Sequence, residues 1–283
     1  MTTHRARRLW ERYEPIHAVT YFSPVSMTAA ATAGLKGFWM GYFGFRAAPM
    51  GAVSAATVEA TFANFAPARV RRAVPDAWSF AAPAVLLDAR RTSAAAALRE
   101  LDDDVEATAT AANPMLERIV EAGEGLGRVL FAANKALPLP EDPVERLWQL
   151  CTCLREHRGD GHVMALAGEE VTGPQAHLLR IAEGGFAEDK ILLARGFDQD
   201  EWNTAKDSLR ARGLLENGML TEVGAALRVR IEQRTDQLAD PPLRALSSGE
   251  LEALLAALDP TARAIGGSGM IPDENPLGLP VLD

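Results

Sequence analysis

Helix-forming runs, separated by Ser, Thr or Asp caps and by Pro and Gly, occupy nearly the whole chain. Ser23-Pro24, for example, is typical of an N-cap followed by Pro in the first helical turn, and Gly34 is a stop signal for that helix. Long alternations of apolar and polar β-branched residues, which would indicate strands, are missing. The pattern predicts an all-α fold.

One short segment departs from this pattern. Asn217-Gly218 lies between the apolar arms 214–215 and 219–220, and Asn-Gly in such a setting is a strong signal for a tight β-hairpin. Helices are predicted on both sides of it, over 174–183, 187–195, 198–212 and 221–238. Three helices, a small hairpin and a further helix follow the order of a winged helix-turn-helix.

The chain therefore divides into three predicted parts. Residues 1–170 form a helical domain with a ligand pocket, and residues 171–242 form the winged-helix-like domain. Residues 243–283 contribute a short Leu-rich helix, begun by a capping box of Ser247 and Glu250, and an extended Gly- and Pro-rich tail from Gly266.

Residues 15–58 carry only two formal charges, Lys36 and Arg46. A stretch so poor in charge is buried or lines a pocket or interface. Within it, the predicted helix 35–47 is apolar around nearly its whole circumference, which predicts burial on all sides. Arg46 in such surroundings needs an anionic partner, either a ligand carboxylate or phosphate or an internal Asp or Glu.

The aromatic side chains of this helix have two interpretations. Trp39, Tyr42 and Phe43, together with Arg46 and Asn64, have the composition of a small-molecule pocket with a few polar anchors. They could equally be ordinary core, with Arg46 paired to a carboxylate elsewhere in the fold.

Two histidines are the candidates for proton transfer. Gly159 is predicted to end one helix and Asp160 to cap the next, which places His162 in a first turn where the helix dipole favours neutral imidazole. His17 precedes Tyr21 by four residues, so both can share one helix face.

His17 and His162 with a carboxylate, Glu14 or Asp160, would suit a general base or a metal. The alternative is that both are hydrogen-bonded core histidines and Asp160 is only a cap. No HExxH, GxSxG, GxGxxG or P-loop motif is present, so the sequence assigns no cofactor and no metal.

Charge argues against nucleic acid as a partner. The chain carries 29 basic and 38 acidic residues, a net charge of −9, and the third helix of the winged motif begins with Asp198, Asp200 and Glu201. A DNA-reading helix normally lies on a basic surface.

Other features point to the cytoplasm. Cys151 and Cys153 are two apart on a predicted helix, point to different sides and should not pair. The Arg-rich N-terminus lacks the apolar stretch of a signal peptide, and Pro24 and His17 interrupt the uncharged stretch 15–35, so we expect no membrane span.

Four strings of the sequence resemble a known family. "EPIHAVTYFSP" (14–24), "GFWMGYFGFRAAPMG" (37–51), "LREHRGDGHVMAL" (154–166) and "LRARGLLENGMLTEVGAALRVRIEQRTD" (209–236) are similar to an actinobacterial family of little-characterised proteins, some of them labelled SalK-like. The resemblance covers most of residues 10–240. It implies a helical N-terminal part and a C-terminal winged helix, but no settled activity, and no catalytic residue is carried over from it.

The leading hypothesis is a cytoplasmic protein that holds a small molecule in an apolar N-terminal pocket, as a carrier, sensor or enzyme. His162 and His17 are the candidate catalytic residues, and the candidate ligand contacts are Arg46, Trp39, Tyr42, Tyr21 and Asp160. The alternatives are a ligand-responsive winged-helix transcriptional regulator and a metal-dependent enzyme using His and carboxylate groups. The ligand, turnover and a homodimer are left open.

Overall fold

The computed structural model describes residues 4–184 and 187–272. Within these ranges the chain forms fifteen α-helices and one two-stranded sheet. The helices are α1 (Arg5–Phe22), α2 (Pro24–Thr32), α3 (Gly37–Ala47), α4 (Ala55–Thr61), α5 (Pro67–Arg71), α6 (Ala77–Phe80), α7 (Pro83–Leu101), α8 (Val105–Ala122), α9 (Val129–Lys135), α10 (Pro143–Gly168), α11 (Gly173–Glu183), α12 (Glu188–Arg195), α13 (Gln199–Ala211), α14 (Glu222–Ala239) and α15 (Ser248–Gly267). Short 3-10 helices follow α3 and α14, at Ala48–Met50 and Pro241–Ala245.

The hairpin pairs β1 (Leu215–Glu216) with β2 (Met219–Leu220) in antiparallel register, Leu215 opposite Leu220. Asn217 and Gly218 turn the chain with φ of 50° and 80°, the left-handed conformation that this tight turn requires. Helices α11, α12 and α13 precede the hairpin and α14 follows it. The all-α fold with a winged helix-turn-helix arrangement is thus confirmed.

Predicted caps begin several of these helices. The Ser23 hydroxyl accepts the amide of Val25 at the start of α2, and Thr221 accepts that of Gly224 at the start of α14. Capping boxes formed by Asp198 with Glu201 and by Ser247 with Glu250 begin α13 and α15. Local side-chain chemistry thus sets these helix starts.

Helix α10 is the central element. It spans 26 residues and packs against α1, α7, α8, α9 and α14. Its side chains Trp148, Leu150 and Cys151 lie in a core shared with α1, α7, α8 and α15, whereas Ala165 and Leu166 at its other end lie in the core of the winged helix. A third core joins α3 to the helices around it and includes Phe43, Val58 and Leu86.

The helix break predicted at Gly159 and the cap predicted at Asp160 are wrong, because α10 continues through both residues. Gly161 has a packing role, because a Cβ there would lie 2.8 Å from Arg128 Nη1 and 3.3 Å from Leu238 Cβ. At Gly159 an added Cβ would meet only Arg155 and Glu156 of the same helix, at 3.6 Å, so no close approach of another element requires that glycine. His162 therefore lies inside α10, and the helix-dipole argument for its neutrality does not apply.

Two further expectations need correction. Helix α3 is not buried on all sides, since Phe38 is 44% exposed and Trp39 and Tyr42 are only partly buried. Helix α15 is not short but has 20 residues, extends past Gly266, and packs against α1 and α8. The extended tail predicted from Gly266 lies mainly outside the described residues.

The domain boundary predicted near residue 170 falls in the turn between α10 and α11. It stays a prediction, because α10 contributes to the cores on both sides of it. The described part of the chain has no helix long and apolar enough to cross a bilayer.

Candidate functional site

A cavity of about 450 Å³ lies where the N-terminal helices meet the winged-helix part. Helices α1, α3 and α10 and the segment 61–65 form one side of it, and α11, α12 and α14 form the other. We call it the interface cavity. Its volume falls in the range that holds a small molecule.

Guanidinium groups dominate its polar wall. Seven arginines line the cavity: Arg7, Arg46, Arg155, Arg158, Arg180, Arg195 and Arg228. Four carboxylates line it as well: Glu14, Asp160, Glu183 and Glu232. Two more carboxylates, Glu156 and Asp236, do not line the cavity but pair with four of these arginines from behind its wall. The lining is therefore rich in arginine, and most of its positive charge is balanced by carboxylates close by.

Arg46 is held by internal partners. It donates to both carboxylate oxygens of Glu156, at 3.1 Å from Nε and 3.0 Å from Nη2, and to the Tyr42 hydroxyl at 3.1 Å. Its guanidinium also lies over the Phe62 ring, 4.2 Å from the centroid. Glu156 is thus an internal carboxylate partner for Arg46, one of the two kinds of anion expected from the sequence. Arg46 also lines the cavity.

Arg155 extends this network towards α1. It donates to Glu156 at 2.8 Å and to Glu14 at 3.4 Å. Burial opposes ionisation of Glu156, but the charges of Arg155 and Arg46 outweigh it and hold the pKa of this carboxyl well below its usual range. Burial raises the pKa of Glu14, against the opposing effect of Arg155. Glu156 therefore stays ionised to a lower pH than an ordinary glutamate, whereas Glu14 takes up a proton at a higher pH.

Two arginines of the cavity wall have a lowered pKa. Burial lowers the pKa of Arg195 to about 10, and the charges of Arg46 and Arg155 add to that effect, while Tyr42 opposes it. Burial also lowers the pKa of Arg180, as does the charge of Arg228, while Glu232 and Glu183 oppose this. A desolvated guanidinium with other cations nearby is stabilised by an added anion.

The structure brings six of the seven predicted site residues to the wall of this one cavity: Tyr21, Trp39, Tyr42, Arg46, Asp160 and His162. The seventh, His17, does not line it. His17 is 2% exposed and sits behind Tyr21, with Nε2 2.9 Å from the Tyr21 hydroxyl and Nδ1 2.9 Å from Thr152 Oγ1. It can position Tyr21 but does not itself face the cavity.

His162 is neutral at physiological pH because of burial rather than helix position. Burial lowers its pKa to about 4, with nearby arginine charges assisting and Glu232 opposing. Its Nδ1 lies 3.0 Å from Thr235 Oγ1 on α14, so the ring links the two sides of the cavity.

A metal site is not formed by the two histidines. Both ring nitrogens of His17 already have hydrogen-bond partners, and His162 bonds to a different element. Among residues 4–184 and 187–272, no group of three or more His, Cys, Asp or Glu is placed to hold a metal ion.

Asp160 anchors a neighbouring helix. Its Oδ2 accepts the backbone amide of Phe131 in the first turn of α9 at 2.9 Å, so it caps α9 from across the core instead of starting a helix of its own. Burial raises the pKa of Asp160 to about 6, although the Phe131 hydrogen bond opposes this.

The winged-helix side of the cavity escaped the sequence analysis. Arg180, Arg195 and His177 come from a part of the chain that carried no pocket signal. Arg228 pairs with Glu232, four residues further along α14, at 3.3 Å, and it also donates to Glu183 on α11 at 3.1 Å. A helical charge pair in the sequence gives no sign that its Arg faces a cavity.

The exposed face of α13 is acidic. Asp200, Glu201 and Asp207 lie in solvent, and Arg210 pairs with Asp207 at 2.8 Å. Arg212 donates to the backbone carbonyls of residues 169 and 170 instead of facing outward. This face lacks the basic stripe of a DNA-reading helix.

Comparison with known proteins gives one match. A family profile described as a helix-turn-helix family matches residues 6–272. No curated protein and no solved structure matches the chain.

Proposed function

The chain belongs to a helix-turn-helix family, and on this fold we propose that it binds an anionic small molecule in the interface cavity. The observation that carries the proposal is the convergence of seven arginines, from both sides, on the wall of one cavity. Four carboxylates share that wall, and Glu156 and Asp236 pair with lining arginines from behind it. The leading sequence hypothesis placed the pocket in the N-terminal part alone, and the proposal now includes α11, α12 and α14.

An anion fits this site for two reasons. Guanidinium groups donate charge-assisted hydrogen bonds that match carboxylate and phosphate oxygens. Burial is the main cause of the lowered pKa of Arg180 and Arg195, and a bound anion would offset the smaller repulsion that neighbouring arginines add. Aromatic side chains such as Trp39 and Phe65 supply apolar contact beside the cations.

The predicted site residues take distinct roles in this proposal. Arg46, Trp39, Tyr42 and Tyr21 form the ligand wall, with Arg46 already fixed by Glu156. His162 and Asp160 are the groups that could exchange a proton with a bound molecule, should the protein be an enzyme. His17 positions the Tyr21 hydroxyl from behind.

The regulator is the second candidate function, and the family match supports it. A ligand held by Arg46 and Arg155 on one side and by Arg195 and Arg228 on the other would tie the winged helix to the N-terminal helices. Its test is a gel-shift assay with fragmented duplex DNA at physiological salt. Because α13 is acidic, we expect no binding, and a ligand-dependent shift would establish the regulator instead.

Further parts of the proposal rest on sequence. We infer a cytoplasmic protein from its two unpaired cysteines. We also keep the similarity to actinobacterial SalK-like proteins and the division into parts near residue 170 as hypotheses. Native mass spectrometry tests two open points at once, since it reports a retained ligand and separates monomer from homodimer.

The test of anion binding uses benzoate as the probe, with benzyl alcohol as its uncharged counterpart. We expect isothermal titration at low salt to detect benzoate and not benzyl alcohol. Arg195→Met should weaken the benzoate Kd about tenfold, the effect of one charge-assisted contact of roughly 1.4 kcal/mol.

Arg210→Gln, on the exposed face of α13 and away from the cavity, is the matched control and should leave the Kd unchanged. Equal binding of benzoate and benzyl alcohol would contradict the proposal. So would an Arg195→Met variant that binds benzoate as tightly as the wild type.

A further inference from the structure

A second cavity, of about 190 Å³, lies among α1, α2 and α3. We call it the apolar cavity. Its lining is apolar apart from the hydroxyls of Thr20, Ser26 and two tyrosines, and it includes Ala30, Leu35 and Phe45. In the described part of the chain no charged side chain lines it.

The two cavities meet at three aromatic residues, since Tyr21, Phe38 and Tyr42 line both. The Tyr21 and Tyr42 rings are in contact, with centroids 4.9 Å apart, and the Phe38 ring lies 6.4 Å from that of Tyr42. The tyrosine hydroxyls are held by polar groups, Tyr21 by His17 and Tyr42 by Arg46. The shared wall thus has a polar edge next to the arginines and apolar ring faces beside the second cavity.

This wall is less tightly packed on the α3 side. Phe38 is 44% exposed, and Tyr42 is only partly buried although it belongs to the aromatic cluster. An aromatic side chain with a solvent-facing edge can change rotamer at a lower cost than one enclosed by core atoms. Phe38 is therefore the side chain of the shared wall whose movement would connect the two cavities at the lowest cost.

We propose that the ligand is amphipathic, with an anionic head among the arginines of the interface cavity and an apolar tail that enters the apolar cavity past Tyr21, Phe38 and Tyr42. This inference rests on the proposed anion binding and specifies its ligand class. A buried apolar cavity of roughly 150 Å³ holds benzene. The tail is accordingly the size of one aromatic ring or a short acyl chain.

The experiment measures Kd for acetate, butyrate and hexanoate by isothermal titration with the full chain. Each methylene that enters the apolar cavity should tighten binding about three- to fourfold. Three variants separate the two cavities. Ala30→Leu fills the apolar cavity, whereas Thr28→Leu adds the same side chain on the exposed face of α2, outside both cavities.

Ala30 lies close to Gly41, where an added Cβ would be 3.1 Å from the Ala30 Cβ, so Ala31→Leu serves as a second filling variant at an exposed position of the lining. Thermal unfolding verifies that each variant is folded. We expect the Kd to fall with carboxylate chain length in the wild type and in Thr28→Leu. In a variant with the apolar cavity filled, the Kd should no longer depend on chain length.

Three outcomes have distinct meanings. A Kd that falls with chain length only when the apolar cavity is open supports the inference. Carboxylates that bind with equal Kd at every chain length overturn the amphipathic ligand and leave anion binding intact. If none of them binds, the amphipathic ligand is overturned, and the benzoate titration decides anion binding separately.

Discussion

At the scale of single residues, Arg46 shows how much chemistry one side chain reveals about its surroundings. An arginine in a segment with only one other charge must find an anion, and it does so in Glu156. The sequence could not specify that anion, because Glu156 lies 110 positions away along the chain. Replacing one partner of such a buried ion pair strongly destabilises the folded protein, because the other charge stays buried without its partner. Replacing both partners costs little.

We therefore expect Arg46→Met to lower the free energy of unfolding by about 3 kcal/mol, because it leaves Glu156 buried with Arg155 as its remaining cation. The double variant Arg46→Met/Glu156→Gln should recover part of that loss. Urea denaturation of the wild type, both single variants and the double variant measures the coupling. Additive effects, with a coupling near zero, would show that the pair is not energetically linked.

The His162 pKa makes a second prediction at this scale. Its folded-state value of about 4 lies below the usual value of 6.5, so neutral His162 contributes stability that is present above pH 6.5 and lost as pH falls towards 4. We expect His162→Asn, which cannot titrate, to lessen the pH dependence of unfolding in that window by roughly 1 kcal/mol per pH unit.

Chemical denaturation between pH 4.5 and 7 checks the His162 prediction. Asp160 acts in the opposite direction, because its pKa is raised to about 6 and its contribution to stability is lost as pH rises. Both proteins keep Asp160, so the difference between them reports on His162. An identical slope in the two proteins would contradict the burial of the imidazole.

At the scale of secondary-structure elements, caps were predictable and helix interiors were less so. Ser, Thr and Asp caps act on amides two or three residues away, so local sequence contains the whole interaction. Glycine is ambiguous, since it can end a helix or allow another element to approach it. Gly161 inside α10 and Gly224 inside α14 belong to the second kind.

Gly224→Ala tests that role. An exposed helical Gly→Ala change normally stabilises by about 0.5–1 kcal/mol, but at Gly224 the new Cβ would meet the Leu214 carbonyl oxygen at 2.1 Å. We expect a loss of about 2 kcal/mol as α14 moves away from the hairpin. Gly266→Ala in α15 has no atom within 4 Å and should be neutral or stabilising.

Thermal unfolding of these two variants beside the wild type makes the comparison. A stabilising effect at both sites would mean that α14 and the strand before the hairpin are not in close contact.

At the scale of the whole molecule, the N-terminal arginines join the two ends of the chain. Arg7 on α1 bonds to Glu232 at 2.7 Å and Asp236 at 3.0 Å on α14, and Arg5 bonds to Asp240 at 2.6 Å. Arg8 and Arg12 pair with Glu252 and Asp259 on α15. The positive charge that the sequence concentrates at its N-terminus is therefore matched by acidic residues of the winged-helix part and of α15. It does not form a basic surface for nucleic acid.

Because α10 takes part in the cores on both sides of residue 170, we expect one cooperative unfolding transition. Differential scanning calorimetry should give a calorimetric enthalpy equal to the van't Hoff enthalpy. Two resolved transitions would instead support independent domains on either side of the predicted boundary.

The sequence predicted the fold class, the winged-helix order, several helix caps and six residues of the cavity wall, because periodicity, capping and charge scarcity are local properties. Two predictions from the sequence were wrong: the end of a helix at Gly159 and the complete burial of α3. Both properties depend on which elements pack against the helix, and local sequence does not contain that information. Six predicted site residues share one cavity, yet the winged-helix arginines beside them had no local signal.

The sequence by itself therefore determined the helical composition and the need of Arg46 for an anion. Only the tertiary structure decided where that anion lies, that cations from α1, α3, α10, α11, α12 and α14 surround one cavity, and that an apolar cavity adjoins it. The physical reason is range. Hydrogen bonds of caps and turns act within a few residues, whereas burial and charge pairing join residues that only the packed fold brings together.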